Sequence, residues 1–161
     1  MMAALLCALL CTLMGWMQYK KYHQDAHHAL LFLQALEKMA AEMRFTVLPL
    51  PELMKKSAPD AQHFLFRLGR MMEAHPALPP DQLLQKAGMP AELPLHLQAM
   101  VQKLFLGLHA PEDAFRRRIM EDTLQCWKEE TEKLQAVFRK KGPLSLQLSL
   151  LLGCALFILF C

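Results

Sequence analysis

The stretch Glu42–Leu53, EMRFTVLPLPEL, decides how this chain is built. An amphipathic run ends in two prolines one residue apart, and an acidic residue follows at once. Proline disfavours the helical region for the residue before it, so Leu48, ahead of Pro49, stops the preceding helix. Pro51 suits the first position of a new helix, where a missing N–H costs nothing, and Glu52 then sits near the positive end of that helix. A proline-rich ligand would need a longer exposed polyproline run. The stretch reads as a corner between two helices.

Helical spacing continues on both sides of it. Ala29, Leu33, Leu36, Ala40 and Met43 form a stripe on a helix expected over about residues 18–45. Leu65, Leu68 and Met72 form a second stripe, and Leu93, Leu97, Met100, Leu104 and Leu108 a third. The last and most charged helix is expected from about Pro111 to Lys141. Breakers separate these stripes: Ser57 to Asp60, His75 to Asp81, Ala87 to Pro90 and His109 to Asp113. Nearly all the prolines fall at such boundaries, whereas inside a helix each would cost roughly 3 kcal/mol. No alternating apolar run is long enough for a convincing strand.

Charge divides the chain further. All 18 Lys and Arg and all 15 Asp and Glu lie between Lys20 and Lys141, so both ends are uncharged. A membrane segment at each end produces this pattern, since the hydrocarbon core is roughly 30 Å thick and a central charge costs about 3 kcal/mol. Residues 1–18 are read as one anchor, 19–142 as a helical-bundle domain and 143–161 as a second anchor. The first run has no basic region before it and no small-residue cleavage site after it, so it is expected to stay uncleaved. Trp16, Tyr19, Lys20 and Lys21 are expected at one membrane interface level, with Arg139, Lys140 and Lys141 before the second span. The flanking charges put the central domain in the cytoplasm and both termini outside. The expected fold class is therefore all-α: a cytoplasmic bundle of about six helices between an N-terminal and a C-terminal transmembrane helix. The five cysteines have no framework spacing, which disfavours a disulfide scaffold.

Chemistry is sparse. The six glycines are too dispersed for a phosphate-cradling loop, which argues against nucleotide hydrolysis by the chain itself. His23 and His27 stand four apart with Asp25 between them, a spacing that can share a metal, but no third ligand is evident. A polar interfacial surface is the plainer reading; a membrane-anchored metal-dependent enzyme or sensor using His23, Asp25 and His27 is one alternative function, and a free-standing helical membrane adaptor another. Arg116, Arg117 and Arg118 fan around a helix instead of forming one stripe. Carboxylates four residues away (Glu112 to Arg116, Asp113 to Arg117, Arg117 to Glu121, Arg118 to Asp122) are placed to neutralise them, so a solvated or protein-docking face is expected rather than nucleic acid. Trp127 is compatible with core or interface. No cofactor, metal or small-molecule substrate is expected.

The architecture and the corner together resemble the stage III sporulation protein AB family. That family's pattern approximates Glu-Ile-x-Tyr-x-x-Thr-Pro-Leu-Pro-Glu-Ala-Leu, to whose first twelve positions Glu42 to Leu53 corresponds here. Its Leu-Gly element is resembled by Leu106-Gly107, and its basic junction before the last span by Phe138-Arg139. After Leu-Gly the family usually shows Ser-Asp and then Gln, where this chain has His109-Ala110 and Ala114. The resemblance implies a non-enzymatic platform, similar in its soluble part to the cytoplasmic domains of the type II secretion inner-membrane platform protein. It implies a mother-cell location in the channel-like complex with the forespore. The implied partners are a secretion-type ATPase, other membrane subunits and membrane lipid. Docking is expected at the corner, Pro49, Pro51 and Glu52, or on the last helix around Glu112, Asp113, Arg116, Arg117 and Glu121.

Overall fold

The corner forms as its prolines dictate. The computed structural model describes residues 2–45 and 48–160, without the side chains of residues 2–8, 11, 156, 157, 159 and 160. Helix α1 (Met2–Phe45) ends just before the corner, and α2 (Leu50–Ser57) begins just after Pro49. Pro49 caps α2 with extended backbone (φ −61°, ψ 144°), Pro51 lies in its first turn, and Glu52 faces the positive helix end there. Thr46 and Val47, also part of the quoted stretch, lie outside the described residues.

Four further helices follow: α3 (Phe64–Ala74), α4 (Pro80–Ala87), α5 (Leu95–Leu108) and α6 (Asp113–Phe160). Among the described residues there is no strand, so the all-α class holds. Among the described residues there are six helices, the number expected, with α1 and α6 each running on from the central part into a chain end. No breaker separates residues 2–18 from the stripe that starts at Ala29, so the expected anchor and first helix are one element, α1. At the other end Pro143 lies inside α6. It removes one hydrogen bond, to the carbonyl of Arg139, without ending the helix.

The chain divides into two compact units. One comprises His28–Glu130, the other Met1–His27 with Thr131–Cys161. In the first, the core is drawn from every helix: Leu36 and Met39 of α1, Met54 of α2, Leu68 of α3, Leu83 of α4, Leu97 and Phe105 of α5, and Met120 and Trp127 of α6 are all buried. The stripe on α1 is wider than the heptad spacing suggested, because Phe32 and Met39 are buried beside it. Trp127 is core. It is fully buried, its ring stacks on Phe32 at 4.8 Å, and its Nε1–H donates to the carbonyl of Ala29 at 3.0 Å. That bond removes the main penalty for burying an indole. Helices α2 and α3 approach closely at Gly69, where a Cβ would lie 2.7 Å from the carbonyl oxygen of Pro51.

In the second unit the two chain ends run antiparallel, with Tyr19 against Phe138 at 5.5 Å and Gly15 facing Ser149. A Cβ on Gly15 would fall 2.0 Å from the Ser149 hydroxyl, so the small residue permits this approach. Leu13, Met14, Trp16 and Met17 on one arm, and Leu148, Leu150, Leu151 and Leu152 on the other, are exposed. Among the described residues no helix is long and apolar enough to cross a membrane. The expected first span draws on residues 1–8 and 11, and the second on 156, 157 and 159–161, whose side chains lie outside the described residues.

Candidate functional site

The corner stretch and the start of α6 border one small groove, lined among the candidate docking residues by Asp113, Arg116 and Arg117. Leu48, Leu50 and Leu53 of the corner, Met43 of α1, and Asp113, Arg116 and Arg117 of α6 line one small groove in the His28–Glu130 unit. The turn forced by Pro49 swings the start of α2 back toward the end of α1, and α6 begins beside both. Pro49 and Glu52 are exposed and Pro51 is half-buried, and these three are not among the groove's lining residues. The groove holds about 90 Å³, well below the roughly 300–1,000 Å³ of small-molecule sites. It is a recess for a side chain or two, floored by leucines and rimmed by charge.

Its charges pair differently from the expected pattern. Arg116 bonds Asp113, three residues back, instead of Glu112. Glu112 immediately precedes α6, and its carbonyl accepts the backbone N–H of Arg116 at 3.0 Å. Glu121 takes its partner from another helix, Arg44 of α1, at 2.9 Å. Arg44 was not singled out by sequence, since a pair so far apart in the chain leaves no periodic signal. Lys56 of α2 likewise bonds Glu42 of α1 at 2.9 Å, bracing the corner from its far side. The Nε of Arg116 is buried without a hydrogen-bond partner among the described residues, so the rim retains an unused donor.

The histidine cluster is arranged for packing. His23 and His27 stack with ring centroids 6.2 Å apart, and His23 also meets Phe138 edge-on at 5.3 Å and Tyr19 at 6.4 Å. Among the described residues no three His, Cys, Asp or Glu side chains are grouped to hold a metal. Tyr19 and Trp16 continue the same aromatic ladder at 6.4 Å. Lys20 and Lys21, with Arg139, Lys140 and Lys141, are exposed at the level where Tyr19 meets Phe138, so the two basic flanks lie at one height within their unit.

Among the described residues the fold is all-helical, and the groove is lined by both leucines and charged side chains. The chain belongs to the stage III sporulation protein AB (spore_III_AB) family, whose model matches residues 1–161, and the family carries a role in sporulation. It is not a known enzyme family. No curated protein and no solved structure gives a match.

Family and structure together explain one motif. Gly107, of the Leu106-Gly107 pair, lies where α5 meets α6, and a Cβ there would sit 2.5 Å from Cδ1 of Ile119. The glycine lets the last helix pack close to α5.

Proposed function

We propose that the chain is a non-enzymatic membrane platform in a secretion-like channel complex between mother cell and forespore. It holds a cytoplasmic ATPase against the membrane subunits, with the corner groove as the docking point. The carrying observation is that Leu48 to Leu53 and Asp113 to Arg117 line one recess although they lie far apart in sequence. A platform of this kind requires a rigid helical body and a surface for a partner, not an active centre. The charged Arg116 and Arg117 and the leucines beside them suit a partner segment that brings an acidic group next to an apolar side chain.

Anchoring rests on the terminal arms. Their exposed leucines and methionines would form a large apolar patch in water, and lipid would cover them. Trp16 and Tyr19 with the flanking lysines and arginines then lie at headgroup level. In this reading residues 1–18 and 143–161 span the membrane, the body lies on the mother-cell cytoplasmic side, and both termini are outside. Pro143 falls near the membrane boundary, a setting in which helices tolerate proline.

The test is a crosslinking pull-down of the full-length protein from native membranes of sporulating cells. Capture of a secretion-type ATPase through Pro49–Glu52 or Asp113–Arg117 is the expected outcome. Retention of that partner by an Arg116→Glu, Arg117→Glu variant would move docking away from this groove. Absence of the ATPase from wild-type captures would end the platform reading.

A further inference from the structure

A wider groove lies elsewhere on the body, between α5 and α6. Its volume is about 720 Å³, and its walls include His96, Met100 and Lys103 from α5 and Asp122, Cys126 and Glu129 from α6. The floor is apolar around Met100, while the two walls differ in charge. The α5 wall carries the basic groups His96 and Lys103, and the α6 wall carries the carboxylates Asp122 and Glu129.

The register between the walls is fixed at both ends. His96 Nε2 lies 3.5 Å from Glu130, and Gly107 lies against Ile119. The interval from His96 to Gly107 equals that from Ile119 to Glu130, so the helices run antiparallel without slippage. Lys103, one turn before Gly107, is therefore level with Thr123 and its neighbour Asp122. By the same count Met100 is level with Cys126, and His96 with Glu129 and Glu130.

From this charge register we infer that the groove packs against a second copy of the same chain, about a two-fold axis parallel to α5 and α6. Such an axis keeps every residue at its own height and exchanges the two walls. Lys103 of one copy then comes over the height of Asp122 of the other, and His96 over Glu129, each pair occurring twice. Met100 of one copy meets the level of Cys126 of the other. A two-fold axis across the helices would instead lay basic wall on basic wall and acidic on acidic. The favoured arrangement also makes each helix antiparallel to its neighbours, as in an antiparallel four-helix bundle. Leu95 and Leu106, 82% and 41% exposed on the side of α5 opposite its buried stripe, extend the apolar area that the second copy covers. This face is separate from the corner groove, so a dimer leaves the proposed docking point open.

The test is sedimentation velocity of the full chain in detergent micelles over a range of concentrations. A reversible dimer is expected. Lys103→Asp alone, or Asp122→Lys alone, is expected to weaken it at least tenfold, because each creates a like-charge pair twice per dimer. The combined Lys103→Asp, Asp122→Lys chain is expected to dimerise again, and that rescue excludes a folding defect as the cause. A wild-type chain that stays monomeric throughout would overturn the proposal. So would a dimer indifferent to both single substitutions, or a double variant that remains monomeric. A monomeric wild type whose Lys103→Asp form loses a membrane subunit from native membranes would assign the groove to another protein instead.

Discussion

Replacing Gly69 by alanine sets two effects against each other. Gly69 lies within α3, and on helix propensity alone alanine would stabilise it by about 1 kcal/mol. Its surroundings argue the reverse. The new Cβ would stand 2.7 Å from the carbonyl oxygen of Pro51 and 2.9 Å from Cγ of Lys55. The lysine carbon belongs to a flexible side chain and can yield. The carbonyl belongs to the first turn of α2, held by the corner, and can move only if the helix moves. Overpacking of this kind costs about 1–3 kcal/mol. Set against the propensity gain, the expected balance is a loss of roughly 1 kcal/mol, or a Tm lower by about 2–4 °C. Thermal melts of the full chain by circular dichroism, wild type beside Gly69→Ala, measure it directly. Gly88→Ala is the contrasting variant, because Gly88 has open space around it and a φ of +71°. That variant is expected to lose about 1–3 kcal/mol through backbone strain alone, since its ψ of 125° at positive φ suits glycine and little else. A Gly69→Ala protein more stable than wild type would refute the reasoning, showing that α2 and α3 separate at negligible cost.

Other substitutions follow from single contacts. Trp127→Phe should keep most of the stacking on Phe32 but leave the Ala29 carbonyl without the indole donor, at a cost of about 1–3 kcal/mol in denaturant titrations. Gly107→Val should cost more than Gly107→Ala in the same titrations, since Cβ contacts to Ile119 at 2.5 and 2.9 Å leave no room for branching. Arg44→Ala should change stability by less than about 1 kcal/mol, because its bond to Glu121 joins two exposed side chains. His63 gives a pH dependence. Burial holds its pKa below the ordinary 6.5, opposed by the charges of Asp60 and Glu92 and helped by Arg67. Its Nδ1 accepts the Leu65 N–H at the start of α3, a role open only to the unprotonated nitrogen. The folded state thus binds fewer protons than the unfolded chain. Its contribution is complete above pH 6.5 and is lost as pH falls through the lower folded pKa. Urea midpoints at pH 7.5 and 5.5 should differ more for wild type than for His63→Asn, and equal slopes would exclude the role.

The corner was legible because proline acts locally: Pro49 and Pro51 set backbone angles that no distant contact can reverse. The core stripes were legible for a similar reason, apart from Met43 and Met100, which share the helical spacing yet line grooves, and Ala40 and Met72, which are half-buried. Phe32 and Met39 were missed because a heptad stripe is narrower than the face that a helix buries among several neighbours. The ion pairs around Arg116 depended on where α6 starts, and a shift of one residue there exchanges Glu112 for Asp113. The site itself was named only in halves. Residues near 50 and near 115 meet through the packing of α1, α2 and α6, and nothing in the local pattern of either stretch encodes the other.

The bond between Trp127 and Ala29 joins residues 98 apart in the chain. At a synthesis rate of roughly 5–20 residues per second, Ala29 waits about 5–20 s for its partner to emerge. During that interval the face of α1 that bears Phe32, Leu36 and Met39 has no α6 to cover it. The α2–α3 pair, joined by the short loop 58–63 and in close approach at Gly69, can close much earlier. Folding of this chain is therefore ordered by its topology, with a small helical hairpin forming first and α6 sealing the core last.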